Sequence, residues 1–72
     1  MVNINKLKGK IVEKRYSVKT LANTIGLNKS TLYRKLSEEG MSITIKEADA
    51  IVRALSLSAE EANEIFFSQF VA

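Results

Sequence analysis

The sequence predicts an all-α fold built from five short helices. In five segments, apolar residues recur at spacings of three and four, which places them on one face of a helix. A residue type that favours the N-cap position precedes four of these segments, and the chain contains no proline. With 72 residues, of which 46% are hydrophobic, the chain is expected to form a single domain over residues 1–72 with a compact core.

The first three predicted helices cover the N-terminal half of the chain. The first spans about Asn3–Lys14, with Ile4, Leu7 and Ile11 on its inner face. The other two are joined by a short turn at Gly26, a residue that readily takes a positive φ. Their predicted extents, each preceded by a favourable N-cap at Ser17 or Asn28, are Val18–Ile25 and Lys29–Leu36 or slightly longer.

Two capping boxes mark the starts of the last two helices. Thr44 pairs with Glu47 after a loop at Ser37–Ile43, and Ser58 pairs with Glu61. In each box the two side chains can satisfy free backbone N–H groups. The residues expected to face the core from these helices are Ile45, Ala48, Ile51, Val52, Leu55, Ala62, Ile65 and Phe66.

A second apolar stripe lies at the end of the last helix, formed by Phe67, Phe70 and Val71. A helix that is apolar on two faces is usually buried on both. The stripe is therefore expected either to fold back on the core of its own chain or to make a contact in a dimer, and the sequence leaves both open.

The segment Val18–Ser37 has the pattern of a helix-turn-helix, two short helices joined by a glycine-containing turn. Ala22 is small where the second helix must cross close to the first. Gly26 follows four residues later and allows the sharp turn, and Leu32 follows six residues after that and holds the second helix on the first. Together these spacings predict a helix-turn-helix at about residues 18–37.

The stretch LANTIGLNKSTLYRKL resembles the helix-turn-helix of the Cro and phage-repressor superfamily, of the xenobiotic-response-element type. The later stretch ITIKEADAIVRALSLSAEEANEIFF is similar to the fourth and fifth helices of short transcriptional regulators from phages and prophages of Gram-positive bacteria. The resemblance spans about Ile4 to Phe70 and implies a five-helix lambda-repressor-like domain that binds DNA as a repressor or Cro-like protein, often as a dimer. One departure is that Lys35 and Leu36 stand where many members have an apolar and an acidic residue.

In a helix-turn-helix the second helix lies in the major groove of DNA, with its N-terminal residues at the base edges. Lysine and arginine there can donate hydrogen bonds to guanine O6 and N7. The residues expected to read bases are Lys29, Ser30, Thr31, Tyr33 and Arg34. The expected phosphate contacts are Ser17, Lys19, Asn28, Lys35, Lys14 and Arg15. Asn28 has an alternative role as the N-cap of the third helix, in which its side chain would bond to the backbone and not to a phosphate.

Charge is distributed unevenly along the chain. Residues 1–37 carry nine lysines and arginines against one glutamate, a net +8, whereas residues 38–72 carry two basic and seven acidic residues, a net −5. A basic half of this kind is typical of a protein that binds a polyanion. The expected partner is double-stranded DNA, bound by a homodimer at a palindromic operator. The simpler alternative is that the lysines only solvate the helices.

Other classes of function are disfavoured. The absence of cysteine and histidine excludes disulfides, zinc fingers, thiol nucleophiles and histidine bases, and neither an enzyme, a metal nor a cofactor is expected. No apolar run approaches the roughly 20 residues of a membrane span, and a cytoplasmic location is expected. Two alternatives stay open: a protein-interaction module with the motif as scaffold, and an RNA or membrane-surface binder driven by charge alone.

Overall fold

The computed structural model describes residues 2–67, which form five α-helices and no strand. The helices are α1 (Ile4–Glu13), α2 (Val18–Ile25), α3 (Lys29–Ser37), α4 (Ile45–Ala54) and α5 (Ala59–Phe66). The predicted all-α, five-helix fold is confirmed. Phe70 and Val71 of the apolar stripe lie outside the described residues.

Each helix begins at a side chain that accepts a hydrogen bond from a backbone N–H of the first turn. The five N-caps are Asn3, Ser17, Asn28, Thr44 and Ser58. The two predicted capping boxes, at Thr44 and Ser58, are confirmed. A third box was not predicted: the N–H of Ser17 donates to Thr20 Oγ1 at 2.8 Å, so a threonine performs the role usually taken by glutamate.

Four of the helices end in the same Schellman pattern of hydrogen bonds around a residue with positive φ. After α4, for example, the N–H of Leu57 donates to the carbonyl of Val52 at 3.0 Å, and the N–H of Ser56 donates to that of Arg53 at 3.2 Å. The left-handed residues are Arg15 (φ 63°), Gly26 (φ 80°), Glu39 (φ 60°) and Ser56 (φ 51°). Only one of the four is glycine, so three helix ends carry the steric cost of a Cβ in this conformation.

The core is formed where α2 packs against α3 and α4 while α1 packs against α5. The buried side chains are Leu7, Ile11, Leu21, Ala22, Leu32, Leu36, Ile51, Leu55, Leu57, Ile65 and Phe66. Fully burying one leucine or isoleucine stabilises a fold by about 1.5–3 kcal/mol. Every helix contributes to this core, so the position of each depends on the others.

The N-terminal residues pack on the loop between α3 and α4. The N–H of Asn3 donates to the carbonyl of Ile65 at 2.7 Å, which ties the chain start to α5. A Cβ at Gly40, which has a φ of 73°, would lie 2.7 Å from Val2 Cβ. Glycine is therefore required at this position both for the backbone conformation and for the close approach of Val2.

The prediction that Ile45 belongs to the core is wrong. Ile45 was expected to face inward from α4, but its side chain is 84% exposed. Helical side chains lean toward the N-terminus and cover the preceding turn. Ile45 is the first residue of α4, so there is no preceding turn beneath it and its side chain extends into solvent. By contrast, Ile51 and Leu55 are buried as predicted.

None of the helices within residues 2–67 combines the length and the apolar character that a membrane crossing requires.

Candidate nucleic-acid interface

The helix-turn-helix predicted from the sequence is present in α2, α3 and the turn between them. Gly26 takes a φ of 80°, and the N–H of Leu27 donates to the carbonyl of Ala22 at 2.8 Å, which closes the end of α2. Ala22 is fully buried and Leu32 is 1% exposed, so both lie where the two helices are held together. The three residues that defined the motif therefore have the positions that the spacing predicted.

Burial of two leucines determines which face of α3 is open. Leu32 and Leu36 point into the core, whereas Tyr33 and Arg34, which lie between them in the sequence, are exposed. Four of the predicted base-reading residues lie on the exposed part of the helix, namely Lys29, Ser30, Tyr33 and Arg34. Thr31 is half-buried at the edge of this surface. The reading face consists of Lys29, Ser30, Tyr33 and Arg34.

Two residues of the reading face contact each other. The ammonium of Lys29 lies 5.8 Å from the ring centroid of Tyr33, which is 52% exposed. A cation–π contact at an exposed site contributes about 0.5–1 kcal/mol. The contact limits the freedom of both side chains while leaving the tyrosine hydroxyl and the ammonium protons available to a ligand.

Arg34 forms an ion pair within its own helix. Its Nη1 donates to Glu38 Oε1 at 3.1 Å, and the same oxygen accepts from Ser42 Oγ at 3.2 Å. The side chains of Arg34 and Glu38 are 57% and 49% exposed, and such i,i+4 pairs contribute only about 0.3–0.5 kcal/mol. The guanidinium is therefore oriented but can exchange this partner for a stronger one.

Lys35 lies on a different side of α3 from the reading face. Its ammonium donates to both oxygens of Glu47, at 2.7 and 2.9 Å, and to the carbonyl of Ser42 at 3.0 Å. The side chain is only 11% exposed. Its three donor protons are thus used inside the chain, and the structure does not bring it together with the other expected phosphate contacts.

Glu47 is charged in this environment although it is largely shielded from solvent. Burial raises the pKa of its carboxyl group, but the hydrogen bonds from Lys35 and from the backbone N–H of Thr44 lower it by more. The net result is a pKa below the usual range for glutamate, so Glu47 faces Lys35 as a carboxylate near neutral pH.

The remaining expected phosphate contacts fall into two groups. Ser17 and Asn28 use their side-chain oxygens as N-caps, with Asn28 Oδ1 accepting from the N–H of Ser30 at 2.8 Å. The alternative interpretation of Asn28 as a capping residue is therefore confirmed. Lys14, Arg15 and Lys19 are exposed and lie at the end of α1 and the start of α2.

Acidic residues of the C-terminal half neutralise part of the basic half. Lys6 pairs with Glu64, and Lys10 pairs with both Glu61 and Glu13. With Lys35, which pairs with Glu47, three of the nine basic residues in residues 1–37 are thus paired with glutamates of the C-terminal half. Within residues 2–67, the cations that take part in no ion pair include Lys8, Lys14, Arg15, Lys19 and Lys29.

Lys8 is an exposed cation whose proximity to α3 the sequence did not reveal. It lines an open, mostly apolar groove of about 330 Å³ together with Ser17, Tyr33 and Ser37. The groove brings the middle of α1 beside the reading face and the start of α2. Lys8 lies there because α1 packs against the helix-turn-helix. The spacing of apolar residues within α1 does not indicate which side chains of α1 lie near α3.

The fold and this surface define a class: a helical protein with a helix-turn-helix whose second helix presents lysine, serine, tyrosine and arginine to a ligand. Comparison with known families matches residues 6–67 to the Cro/C1-type HTH DNA-binding domain. The chain belongs to this family, and it is a DNA-binding transcription regulator of the helix-turn-helix type. Comparisons with curated proteins and with solved structures gave no significant match.

Proposed function

We propose that the protein is a sequence-specific regulator that binds an operator in double-stranded DNA and acts as a phage or prophage repressor or Cro-like protein of a Gram-positive host. The observation that carries the proposal is the reading face itself, held outward by the burial of Leu32 and Leu36 within a Cro/C1-type domain. We further propose that residues 1–72 act as one domain in the cytoplasm.

In the proposed complex α3 lies in the major groove. Arg34 exchanges its weak contact with Glu38 for guanine O6 and N7, which accept a bidentate pair of hydrogen bonds from a guanidinium. Lys29 and Ser30, in the first turn of α3, reach base edges beside it. Tyr33 offers its hydroxyl group to a phosphate or its ring to a thymine methyl group, and Thr31 contributes from the edge of the face.

Phosphate contacts surround the reading face and set the register of the protein on the duplex. The proposed residues are Lys14, Arg15, Lys19 and the newly placed Lys8, all exposed and outside the ion pairs of the described chain. Ser17 and Asn28 can contribute only through atoms that capping leaves free.

We propose that two copies bind a palindromic operator. Each chain has one reading face, so a two-fold symmetric site requires two chains with half-sites about 34 Å apart or a multiple of that distance. Phe67, at the end of α5, is 44% exposed and begins the apolar stripe expected to join the copies or to cover the core. The dimer contact through Phe67, Phe70 and Val71 is part of the proposal.

Selection of bound duplexes from a random pool tests the proposal directly. A palindromic consensus with two equal half-sites is the expected result, because it requires both base reading and two-fold binding. Recovery of duplexes without any sequence enrichment would contradict sequence-specific binding. A single, non-repeated half-site would retain base reading and contradict the dimer.

A further inference from the structure

The tie between Lys35 and Glu47 joins three parts of the helix-turn-helix domain. Lys35 lies in the last turn of α3, and Glu47 lies in the first turn of α4, where its Oε1 also accepts from the N–H of Thr44 at 2.9 Å. The third acceptor of the ammonium is the carbonyl of Ser42, in the loop between the two helices. One side chain therefore links α3, the loop and the start of α4.

A short chain of contacts continues from this pair to the reading face. Ser42, whose carbonyl accepts from Lys35, donates its hydroxyl proton to Glu38 Oε1 at 3.2 Å. That oxygen in turn accepts from Arg34 Nη1 at 3.1 Å. Ser42 therefore contacts both Glu38, the partner of the Arg34 guanidinium, and the partly buried ammonium of Lys35.

The geometry of an α-helix allows a tie at Lys35 to set the rotation of α3 about its own axis. Successive residues of a helix are separated by about 100°, with 3.6 residues in a turn. A tie at Lys35 consequently sets the direction in which its neighbour Arg34 points. Leu32 and Leu36 hold α3 on the core through non-directional apolar contacts, whereas the ammonium of Lys35 has three specific acceptors.

The pair of Lys35 and Glu47 is the least exposed ion pair within residues 2–67. Its side chains are 11% and 18% exposed, compared with 20% and 27% for Lys10 and Glu61 and 79% and 60% for Arg53 and Asp49. Salt screens a shielded pair much less than an exposed one. The tie therefore persists at the ionic strengths at which DNA binding is measured.

We propose that Lys35 and Glu47 are positioning residues for base recognition: their ion pair, with the Ser42 carbonyl, sets the rotation of α3 and thereby aims Arg34 and Tyr33. This inference rests on the proposed function, because it assumes that α3 reads the operator. It differs from a phosphate contact at Lys35, in which the lysine would act on DNA directly and Glu47 would only oppose it.

Glu47→Gln is the decisive variant. Glutamine keeps an acceptor for the N–H of Thr44, so the capping box of α4 is retained while the charge that holds Lys35 is removed. Asp49→Asn removes one carboxylate from the same helix without touching α3 and is the matched control. Lys35→Met and the double variant Lys35→Met, Glu47→Gln complete a cycle, with Lys46→Met controlling for the loss of a lysine.

The measurement is the ratio of affinities for the selected operator and for a random duplex, over a salt series. Positioning predicts that both single variants lower this ratio by about fivefold to a hundredfold, the range one specific base contact provides. The double variant loses no more than either single variant, because both remove the same tie. The salt slope stays that of the wild type.

A phosphate contact predicts different results and would overturn the proposal. Lys35→Met would then weaken binding to all duplexes alike. It would also reduce the slope of log affinity against log salt concentration by about one, the value expected for one lost phosphate contact. Glu47→Gln would then strengthen binding to all duplexes alike, because it would free Lys35 and remove a negative charge beside the phosphate. An unchanged operator ratio in Glu47→Gln is likewise incompatible with positioning.

A readout without DNA separates this proposal from the proposed function. Residual dipolar couplings in the free protein report the orientation of α3 relative to α4, and thermal unfolding confirms that each variant is folded. Positioning predicts a reoriented α3 in Glu47→Gln and not in Asp49→Asn; an unchanged orientation overturns it. If the wild-type protein itself prefers no duplex, the proposed function fails, while the couplings still decide whether the tie orients α3.

Discussion

Side chains on the reading face are held by the free protein to different degrees. Arg34 has a defined partner in Glu38, and Lys29 rests against Tyr33, whereas Ser30 uses only its backbone N–H in a contact with Asn28. Ordering a long side chain before binding reduces the entropy lost in the complex. We therefore expect Arg34 to contribute most to base discrimination.

Replacing Arg34 with alanine tests this expectation. The loss of a bidentate contact to guanine is expected to weaken operator binding by about 1–3 kcal/mol and to relax the preference at one base pair. Affinities for the operator and for duplexes substituted at each position measure both effects. Arg53→Ala is the matched control, because Arg53 also forms an exposed i,i+4 pair, with Asp49, but lies on α4. Equal losses in the two variants would contradict a base contact at Arg34.

At the scale of the helices, several helix ends contain a strained backbone conformation that lowers the stability of the protein. Three of the four Schellman ends place a non-glycine residue at positive φ, and Ser56 is exposed there. The hydrogen bonds of the motif persist because the surrounding core fixes the path of the chain from α4 into the buried Leu57. The conformation is thus imposed on Ser56 by its neighbours.

Ser56→Gly is expected to stabilise the protein. Glycine removes the Cβ clash at a φ of 51°, and this gain exceeds the added freedom of the unfolded chain, for a net of about 0.5–1 kcal/mol in the free energy of unfolding. Urea unfolding measures the change. Ser56→Ala removes the same hydroxyl group but keeps the Cβ, so it is expected to bring no gain. Stabilisation by both variants would show that the hydroxyl group, and not the backbone, was responsible.

The contact between α1 and α5 depends on charge. Hydrogen bonds from Lys10 and from the backbone N–H of Ser58 lower the pKa of Glu61 to about 2, despite a smaller opposing effect of burial. Hydrogen bonds to Glu13 and Glu61 raise the pKa of Lys10 above its ordinary value. Since the pKa of Glu61 in the folded state lies below that in the unfolded state, its stabilisation is present above about pH 4.5 and is lost as the pH falls toward 2.

Glu61→Gln is expected to expose this pH dependence. Glutamine retains an acceptor for the N–H of Ser58 but cannot pair with Lys10, so the variant should melt at a lower temperature than the wild type at pH 7. The difference should shrink between pH 4.5 and pH 2, as melting curves recorded by circular dichroism would show. Glu60→Gln, a neighbour that takes part in no ion pair within residues 2–67, serves as control. A difference for Glu61→Gln that does not change with pH would contradict the assignment.

For the whole molecule, the structure concentrates the positive charge that the sequence spreads over residues 1–37. Ion pairs to α4 and α5 use Lys6, Lys10 and Lys35, while Lys8 and Lys19 stay free near the helix-turn-helix. Binding of lysine to phosphate releases counterions from DNA, so each contact adds to the salt dependence of the affinity. Because the acidic residues of α4 and α5 pair with lysines elsewhere, the unpaired lysines Lys8 and Lys19 lie near the reading face.

Lys19→Ala tests the contribution of these free cations. The variant is expected to weaken binding to operator and random duplexes equally and to reduce the salt slope by about one. Titrations at several salt concentrations measure both quantities. Lys46→Ala removes an exposed lysine from the first turn of α4 and should change neither. A loss confined to the operator would instead assign Lys19 to base recognition.

Features that depend on neighbouring residues could be predicted from the sequence. The N-cap of α2 at Ser17, the positive φ of Gly26 and the burial of Leu32 follow from hydrogen bonds and spacings within a few residues of the chain. These local signals also determined the helix-turn-helix and its Cro/C1-type resemblance. They were sufficient because a short helix and its caps are specified by the residues they contain.

Features that depend on distant residues were decided only by the tertiary structure. Nothing in the sequence pairs Lys35 with Glu47 or places Lys8 and Tyr33 on one groove, since each outcome requires the packing of one helix against another. The sequence by itself thus determined five helices and the motif that binds DNA. The tertiary structure decided which cations remain free for DNA and which hold α3 in place, because charges select partners by distance in space.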